Sequence, residues 1–122
     1  MTLKGERSHT TRSKMAQESI LEKALTEYGQ ARGVYVRKFT SHHTKVPDRI
    51  FTKELTLFLE IKAAGKFPDP GQRNEIGTIC SVGGYASWTS SEEVGKKLID
   101  LVADNLPKSL RIACDERNYW SL

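Results

Sequence analysis

The sequence predicts an α/β domain in which a central mixed β-sheet is flanked by helices. Three observations support this fold class: an apolar stripe at helical spacing near the start, segments with β-branched or alternating apolar residues, and further helix-like segments between and after them. The expected order is α-β-β-β-α-β-α, followed by a C-terminal tail. A chain of 122 residues has the length of one such domain.

The first helix and the first strand are predicted within the first forty residues. Apolar residues recur at spacings of three and four from Met15 to about Tyr28, which indicates an amphipathic helix. Residues 1–14 are polar and basic, and we expect them to form a flexible arm. Residues 34–39, VYVRKF, are β-branched and aromatic, which is typical of a strand.

The segment 46–62, VPDRIFTKELTLFLEIK, predicts a hairpin of two strands. Its proline favours an extended backbone and places Asp48 at the start of the first strand. In residues 55–62 the odd positions are apolar, whereas the even positions become polar toward the end. One face of this strand therefore suits a core, and the other carries Glu60 and Lys62.

The pairing of the two hairpin strands determines whether Asp48 and Glu60 can meet. Residues that pair in an antiparallel hairpin share a face, and their residue numbers have a constant sum. A two-residue turn at Lys53 and Glu54 gives an odd sum and directs Asp48 away from Glu60. A shared site needs an even sum such as 108, so we expect a loop of three or five residues centred on Glu54, or a bulge before the turn.

Further elements are predicted in the second half of the chain. A helix is expected from about Gly71 to Val82, a short strand from Tyr85 to Thr89, and a capped helix that opens at Ser90 to Glu93 and ends before Pro107. The domain is therefore expected to span residues 15–106. The tail, residues 107–122, keeps the apolar side chains Leu110, Ile112, Tyr119, Trp120 and Leu122. Two interpretations remain open for it, a homodimer contact and packing on the chain's own core.

Composition and charge limit the classes of function. No segment has the apolar length of a membrane span or the pattern of a signal peptide, so we expect a cytoplasmic protein that does not bind a membrane. Residues 1–53 hold eleven lysines and arginines against five acids, whereas residues 54–122 hold eight against ten. A basic half that leads into Asp48 suits a polyanion such as DNA, although a basic surface also serves solubility.

Asp48, Glu60 and Lys62 form a candidate site for a hard cation. Two carboxylates can bind such an ion through oxygen, and a neighbouring ammonium can steer water or neutralise developing charge. These are the groups that metal-dependent hydrolysis of a phosphodiester requires. The alternative is that Asp48 begins a turn and that Glu60 and Lys62 are a solvated pair on one face.

An ordered set of motifs resembles the VRR-NUC domain of the PD-(D/E)-x-K nuclease superfamily, in particular its compact stand-alone versions in phages and prophages. The set consists of ILEKAL in the first helix, YVRKF after a glycine, VPDR, a strand that ends in EIK, a short GK loop, a glutamine that opens a helix, and a final helix that begins with SSEE. It covers roughly residues 18–104. The resemblance implies a restriction-endonuclease-like core.

The resemblance also implies roles for individual residues. Asp48 and Glu60 correspond to the metal-binding carboxylates and Lys62 to the catalytic lysine, whereas Glu22 and Gln72 are looser matches. Lys45 stands where family members usually have a glycine. The implied catalytic set is Asp48, Glu60, Lys62, Gln72 and Glu22; the implied metal-binding set is Asp48, Glu60, Ile61 and Glu22; the expected DNA-binding residues are Lys38, Lys45, Arg49, Lys66 and Arg73.

The function implied by the resemblance is a Mg²⁺- or Mn²⁺-dependent DNA endonuclease. Stand-alone relatives act as symmetric homodimers on branched DNA, so a nuclease for four-way (Holliday) junctions in a bacterial or phage-infected cell is the leading expectation. A flap or single-strand nuclease with the same site is one alternative. A DNA-binding phage module without catalysis is the other, and it would hold DNA equally well in a chelator.

Overall fold

A computed structural model of the protein describes the backbone of residues 3–39 and 45–118, and the side chains of these residues from Ala16 onward. Four helices and four strands lie within this part of the chain. In order they are α1 (Leu3–Ala31), β1 (Tyr35–Lys38), β2 (Arg49–Thr52), β3 (Thr56–Ile61), α2 (Pro70–Ser81), β4 (Tyr85–Thr89), α3 (Glu92–Ala103) and α4 (Pro107–Arg117).

The four strands form one mixed sheet in the order β1-β2-β3-β4. β1, β2 and β3 are joined by antiparallel pairing, whereas β4 lies parallel to β3. The parallel pair needs a crossover, and α2 supplies it. The predicted α/β architecture with a central mixed sheet and flanking helices is confirmed, with one further helix at its end.

The β2–β3 hairpin has the even register that a shared site requires. Arg49 pairs with Leu59 and Thr52 with Thr56, so the numbers of each pair sum to 108. Three residues, 53–55, remain between the strands, and the loop is closed by a hydrogen bond from the Lys53 N–H to the Leu55 carbonyl (3.0 Å). The prediction of an odd-numbered loop centred on Glu54 is therefore confirmed, and of the two lengths expected, three and five residues, the structure has three.

The two faces of the sheet pack against different helices. Leu57, Leu59 and Ile61 project from β3 to one side and are fully buried in the core formed with α1, α3 and α4. The opposite face meets α2, where Ile76 packs against Ala86 and Trp88 of β4. Since side chains of a strand alternate, the even residues of β3 lie on the α2 side.

α1 and α3 approach each other closely at Gly95. A β-carbon on Gly95 would lie 2.7 Å from the terminal methyl carbons of Leu25, which is fully buried and therefore has little room to move. The same helix pair is joined by the Tyr28 hydroxyl, which donates to the Asp100 carboxylate over 2.6 Å. Gly95 thus allows α1 to lie directly against α3.

α1 differs from the prediction at its start. The helix begins at Leu3 rather than at Met15, so the stretch expected as a flexible arm is helical from Leu3 onward. These extra turns lack the apolar spacing on which the prediction depended. None of the described helices, α1 included, combines the length and apolarity that crossing a bilayer demands.

The tail is also more ordered than the sequence indicates. Pro107 begins α4 rather than only ending α3, because a proline fits the first turn of a helix, where its missing N–H is not needed. Leu110 and Cys114 are fully buried in the chain's own core, whereas Ile112 is 59% exposed. Tyr119, Trp120 and Leu122 lie outside the described residues.

α4 covers the outer edge of β4. The Arg117 Nε donates to the Trp88 carbonyl (2.7 Å), and the Trp88 indole N–H donates back to the Arg117 carbonyl (3.2 Å). Arg111 Nη2 also donates to the carbonyl of Gly83, just before the strand (2.9 Å). These contacts attach α4 to the sheet beside the end of β4.

Candidate active site

Two carboxylates meet at one end of the β2–β3 hairpin. Asp48 directly precedes β2, and its carbonyl accepts a hydrogen bond from the Phe39 N–H (2.8 Å). Continuing the observed register by one residue places Asp48 opposite Glu60. Residues that oppose each other in this way have β-carbons about 5 Å apart on one face of the sheet.

Glu60 is a buried carboxylic acid in the middle of this site. Its exposed fraction is 5%, and its neighbour on β4 is Trp88. Burial, together with the charge of Asp48, raises the pKa of Glu60 to about 8, while Lys62 acts in the opposite direction. A nearby cation would strongly stabilise the ionised form of this carboxylate, which burial otherwise disfavours.

One carboxylate oxygen of Asp48 has no hydrogen-bond partner among the residues that the structure describes. Its Oδ1 is buried and accepts no hydrogen bond from the described part of the chain. Burial raises the pKa of Asp48, and the positive charges of Arg49, Lys38 and Lys62 lower it again in part. A buried carboxylate oxygen without a partner costs about 1–3 kcal/mol or more, which a bound cation would offset.

α1 contributes acidic groups from the side. Arg49 Nη2 lies 3.3 Å from Glu22 Oε2, and burial followed by the charge of Asp48 raises the pKa of Glu22. Glu18, one helical turn earlier, also raises the pKa of both Glu22 and Glu60. Sequence reasoning missed Glu18, although its spacing of four residues from Glu22 places both on one helix face.

Lys62 lies on the same side of β3 as Glu60, just past the end of the strand. Its backbone N–H donates to the Thr89 carbonyl (2.9 Å), which continues the pairing with β4 and fixes the backbone there. Its charge lowers the pKa of both Asp48 and Glu60. The structure therefore brings Asp48, Glu60, Lys62 and Glu22 together.

Gln72 and Ile61 are placed differently from the other predicted site residues. Gln72 belongs to the cap of α2: its side-chain oxygen accepts from the Asp69 N–H, and its own N–H donates to the Asp69 carboxylate, both over 2.9 Å. Its amide nitrogen is the group that can donate to a substrate. The Ile61 side chain is fully buried in the core, so its backbone carbonyl is the atom that can reach a metal.

The predicted DNA-binding residues fall into two groups. Lys38 and Lys66 are exposed and Arg73 is half-buried, so their charges can reach a phosphate. Lys45 is bonded to Asp69 over 2.7 Å, and Arg49, with 17% of its side chain exposed, is paired with Glu22. Arg49 is better placed to hold Glu22 than to grip DNA.

The acidic groups suit a cation that shares its coordination with a substrate. Within the described part of the chain, no group of three or more His, Cys, Asp or Glu side chains is placed to hold a metal ion. Mg²⁺ does not need such a group, because it is usually bound through one or two carboxylates and keeps waters and phosphate oxygens as its other ligands. Asp48, with an oxygen that no described residue contacts by a hydrogen bond, and the buried Glu60 across from it fit this pattern.

Comparison with known proteins finds similarity to solved structures. No family model matches the chain, and neither does any curated protein. A solved structure described as a VRR_NUC domain is 26% identical, with a TM-score of 0.63 over 69% of this chain and 95% of that chain. The match supports a nuclease domain. The resemblance to the VRR-NUC domain found in the sequence motifs is thereby confirmed, and the chain has a restriction-endonuclease-like α/β fold.

Proposed function

We propose that this nuclease domain is a DNA endonuclease that depends on Mg²⁺ or Mn²⁺. The observation that carries the proposal is the position of Asp48 opposite Glu60 in an even hairpin register. One buried oxygen of Asp48 has no hydrogen-bond partner in residues 3–39 and 45–118, and Lys62 lies beside the pair. Crowded, buried carboxylates destabilise a protein unless a positive charge offsets them. A hard divalent cation together with a phosphodiester satisfies this site better than solvent does.

The roles of the protein groups follow from their positions. A bound cation would supply Lewis-acid stabilisation of the phosphoryl oxygens and a water of lowered pKa. Asp48 and Glu60 would hold it, with Glu22 contributing directly or through water. Lys62 would orient the attacking water and neutralise charge that develops on the phosphate. Arg49 holds the Glu22 carboxylate toward the strands.

We propose four-way junctions as the preferred substrate and a symmetric homodimer as the acting species, in the cytoplasm. Each chain carries one candidate site, whereas resolving a junction requires two symmetric cuts, so two copies suit the task. The basic balance of residues 1–53 supports a polyanionic partner. A flap or single-strand nuclease would use the same site and differ in how the DNA is presented.

Binding without catalysis is the second candidate function. Only the surface charge favours it, and it makes no use of the buried carboxylates. A pure binder would hold DNA equally well in chelator and in Mg²⁺, and would leave every strand intact in Mn²⁺.

The deciding experiment compares wild-type protein with Lys62→Ala on labelled duplex, flap and four-way substrates in Mg²⁺, Mn²⁺ and chelator. We expect metal-dependent cleavage by the wild type, fastest on the four-way substrate. Lys62→Ala should cut at least about 100-fold more slowly. It should keep its fold, because its backbone bond to Thr89 remains, and its DNA binding should change far less than its cleavage rate. Substantial turnover by Lys62→Ala would remove the lysine from the mechanism. Absence of any cleavage by the wild type would leave only the binding function.

A further inference from the structure

Phe67 is an exposed aromatic residue in the connection between β3 and α2. Its exposed fraction is 61%, although it lies only five residues after Lys62. Its ring rests against Trp88, with the ring centroids 5.2 Å apart and the planes inclined by 51°. One side of Phe67 is therefore supported by the protein while much of the ring faces solvent.

The side chain of Trp88 is a fixed support for the Phe67 ring. It is 5% exposed, and the guanidinium of Arg117 lies 4.4 Å from its ring centroid. The indole N–H of Trp88 also donates to the Arg117 carbonyl (3.2 Å). Because the Phe67 ring is already held against this support, it loses little conformational freedom when a ligand stacks on its outer side.

The location of Trp88 connects Phe67 to the candidate active site. Trp88 pairs with Glu60 in the parallel register of β3 and β4, so the two side chains lie next to each other on one face of the sheet. Neighbouring strands are about 4.8 Å apart. Phe67 is therefore separated from Glu60 by one intervening side chain, that of Trp88.

The connection that carries Phe67 is held at both ends. Gly65 has a φ of +80°, a conformation that glycine adopts without strain, and the Lys66 N–H donates to the Ala63 carbonyl (3.0 Å). At the other end Asp69 caps α2 and is bonded to Lys45 over 2.7 Å. The position of the ring is thus determined by the fold.

The charges around Phe67 suit a nucleic acid better than a protein surface. Lys66 precedes it in an exposed position, and Lys62 begins the same connection. Lys45, from the segment before β2, reaches the other end of the connection, where it is paired with Asp69. An exposed aromatic ring among lysines provides a stacking surface for a base and cations for its phosphates, the two components of single-strand recognition. A hydrophobic protein contact would remove water from these lysine charges, and this desolvation disfavours such a contact.

We propose that Phe67 stacks on a DNA base that lacks a stacked neighbour, at a branch point or in a single strand, beside the phosphate that is cut. This inference rests on the proposed function, and it narrows the substrate to DNA whose base stacking is interrupted at the cleavage position. A fully paired duplex presents no such base, so Phe67 favours branched or single-stranded DNA over it.

The test measures binding in chelator, so that no strand is cut. The probes are a single-stranded oligonucleotide, a four-way junction and a fully paired duplex, the first two also with 2-aminopurine as the fluorescent base. We expect Phe67→Ala to bind the single strand and the junction about 5- to 100-fold more weakly and the duplex unchanged. Phe67→Trp should stay within about twofold of wild type, and wild-type protein should quench 2-aminopurine at one position of each probe.

Two variants separate stacking from a structural role. Phe67→Leu keeps an apolar side chain over Trp88 but has no aromatic face, so it should lose affinity like Phe67→Ala while its thermal stability stays near that of wild type. Tyr35→Ala removes another exposed aromatic residue, from β1 at the opposite edge of the sheet, and should bind every probe normally.

Several results would overturn the inference. Equal affinity of wild type and Phe67→Leu for the single strand would do so, as would a wild type that binds none of the probes. Unchanged DNA binding together with a lower sedimentation mass in Phe67→Ala would show that the ring serves contact between copies. If the stacking results hold while no metal supports cleavage by wild type, the proposed endonuclease activity fails and the role of Phe67 stands.

Discussion

Thr52 lies directly opposite Thr56, and their hydroxyl oxygens are 2.7 Å apart. This contact closes the last pair of the β2–β3 ladder before the loop. Every pair further along inherits its register, including the position of Asp48 opposite Glu60. A hydroxyl pair on the surface thus marks the register that brings two carboxylates together at the other end of the hairpin.

Two single-residue insertions test this register. An alanine inserted after Glu54 lengthens the loop but leaves Thr52 opposite Thr56, so cleavage should stay within about threefold of wild type. An alanine inserted between Arg49 and Ile50 moves Asp48 opposite Ile61, on the core side, and should lower cleavage at least about 100-fold. Cleavage rates of the two insertion variants test the register, and thermal unfolding of both proteins shows whether each is folded. Full activity in the strand insertion would show that the paired carboxylates are not the site.

Asp48→Asn should weaken binding of Mn²⁺ by at least about tenfold, because it removes one of two carboxylate ligands. It should also bind DNA more tightly in chelator, since a negative charge near the phosphates is lost. Calorimetric titration and a DNA-binding assay measure the two effects. Asp115→Asn, an exposed site on α4, is the control and should change neither. Unaltered Mn²⁺ affinity in Asp48→Asn would contradict its assignment as a ligand.

The stability of the metal-free protein should fall as the pH rises from about 5 to 8. Glu60 holds its proton more tightly in the folded state, where its pKa is about 8, than in the unfolded state, where it is near 4.5. The stabilisation is therefore present below pH 4.5 and lost as the pH rises through 8, by an amount on the order of a few kcal/mol.

Urea unfolding in chelator at several pH values measures this effect. Glu60→Gln should be much less sensitive to pH over this range, whereas Glu116→Gln, an exposed control, should keep the wild-type slope. Mg²⁺ should stabilise the wild type more at pH 8 than at pH 6, because binding requires the ionised carboxylate. Equal slopes in wild type and Glu60→Gln would show that Glu60 is not the titrating group.

α4 should contribute strongly to stability through its buried side. Leu110→Ala should lower the free energy of unfolding by about 2–5 kcal/mol, since it leaves a cavity in the core. Ile112→Ala, two residues away and largely exposed, should cost less than about 1 kcal/mol. Urea titrations of both variants provide the comparison, and similar losses would mean that α4 does not pack as described.

The homodimer remains a separate prediction. Truncation at Pro107 is a poor test of it, because it would also remove Leu110 and Cys114 from the core. Ile112→Ser leaves the buried side of α4 intact and should lower the sedimentation mass if this surface joins two copies. A dimer of unchanged mass and stability would exclude Ile112 from the contact.

Local patterns in the sequence predict most of the fold. The alternation in residues 55–62 predicts the two faces of β3. Parity predicts a loop of three or five residues, or a bulge, before the register is known, and the observed loop has three residues. The strand Tyr85–Thr89 and the Ser91 cap of α3 have the expected bounds. The assignment of metal-binding and catalytic roles to Asp48, Glu60 and Lys62 stays a prediction.

Other features depend on tertiary contacts that have no local signal. α4 has few apolar residues, so the sequence does not show which of its faces is buried. The structure shows that Leu110 and Cys114 pack in the core. The engagement of Gln72 in the α2 cap and the pairing of Lys45 with Asp69 result from how the connection before α2 folds back. The likeness to known family members concerns the strands and motifs, so it does not predict Phe67 resting on Trp88.

The contact between Gly95 and Leu25 makes the candidate site sensitive to a position far from it in sequence. Leu25 and Glu22 are three residues apart on α1, so both move with the same helix segment. A side chain at position 95 would displace Leu25, and the carboxylate of Glu22 would shift with it relative to Arg49 and Asp48. Catalytic geometry tolerates displacements of only about 1 Å. The spacing between helix and sheet, and with it the shape of the acidic cluster, is therefore set by a hydrogen atom where any other residue has a carbon.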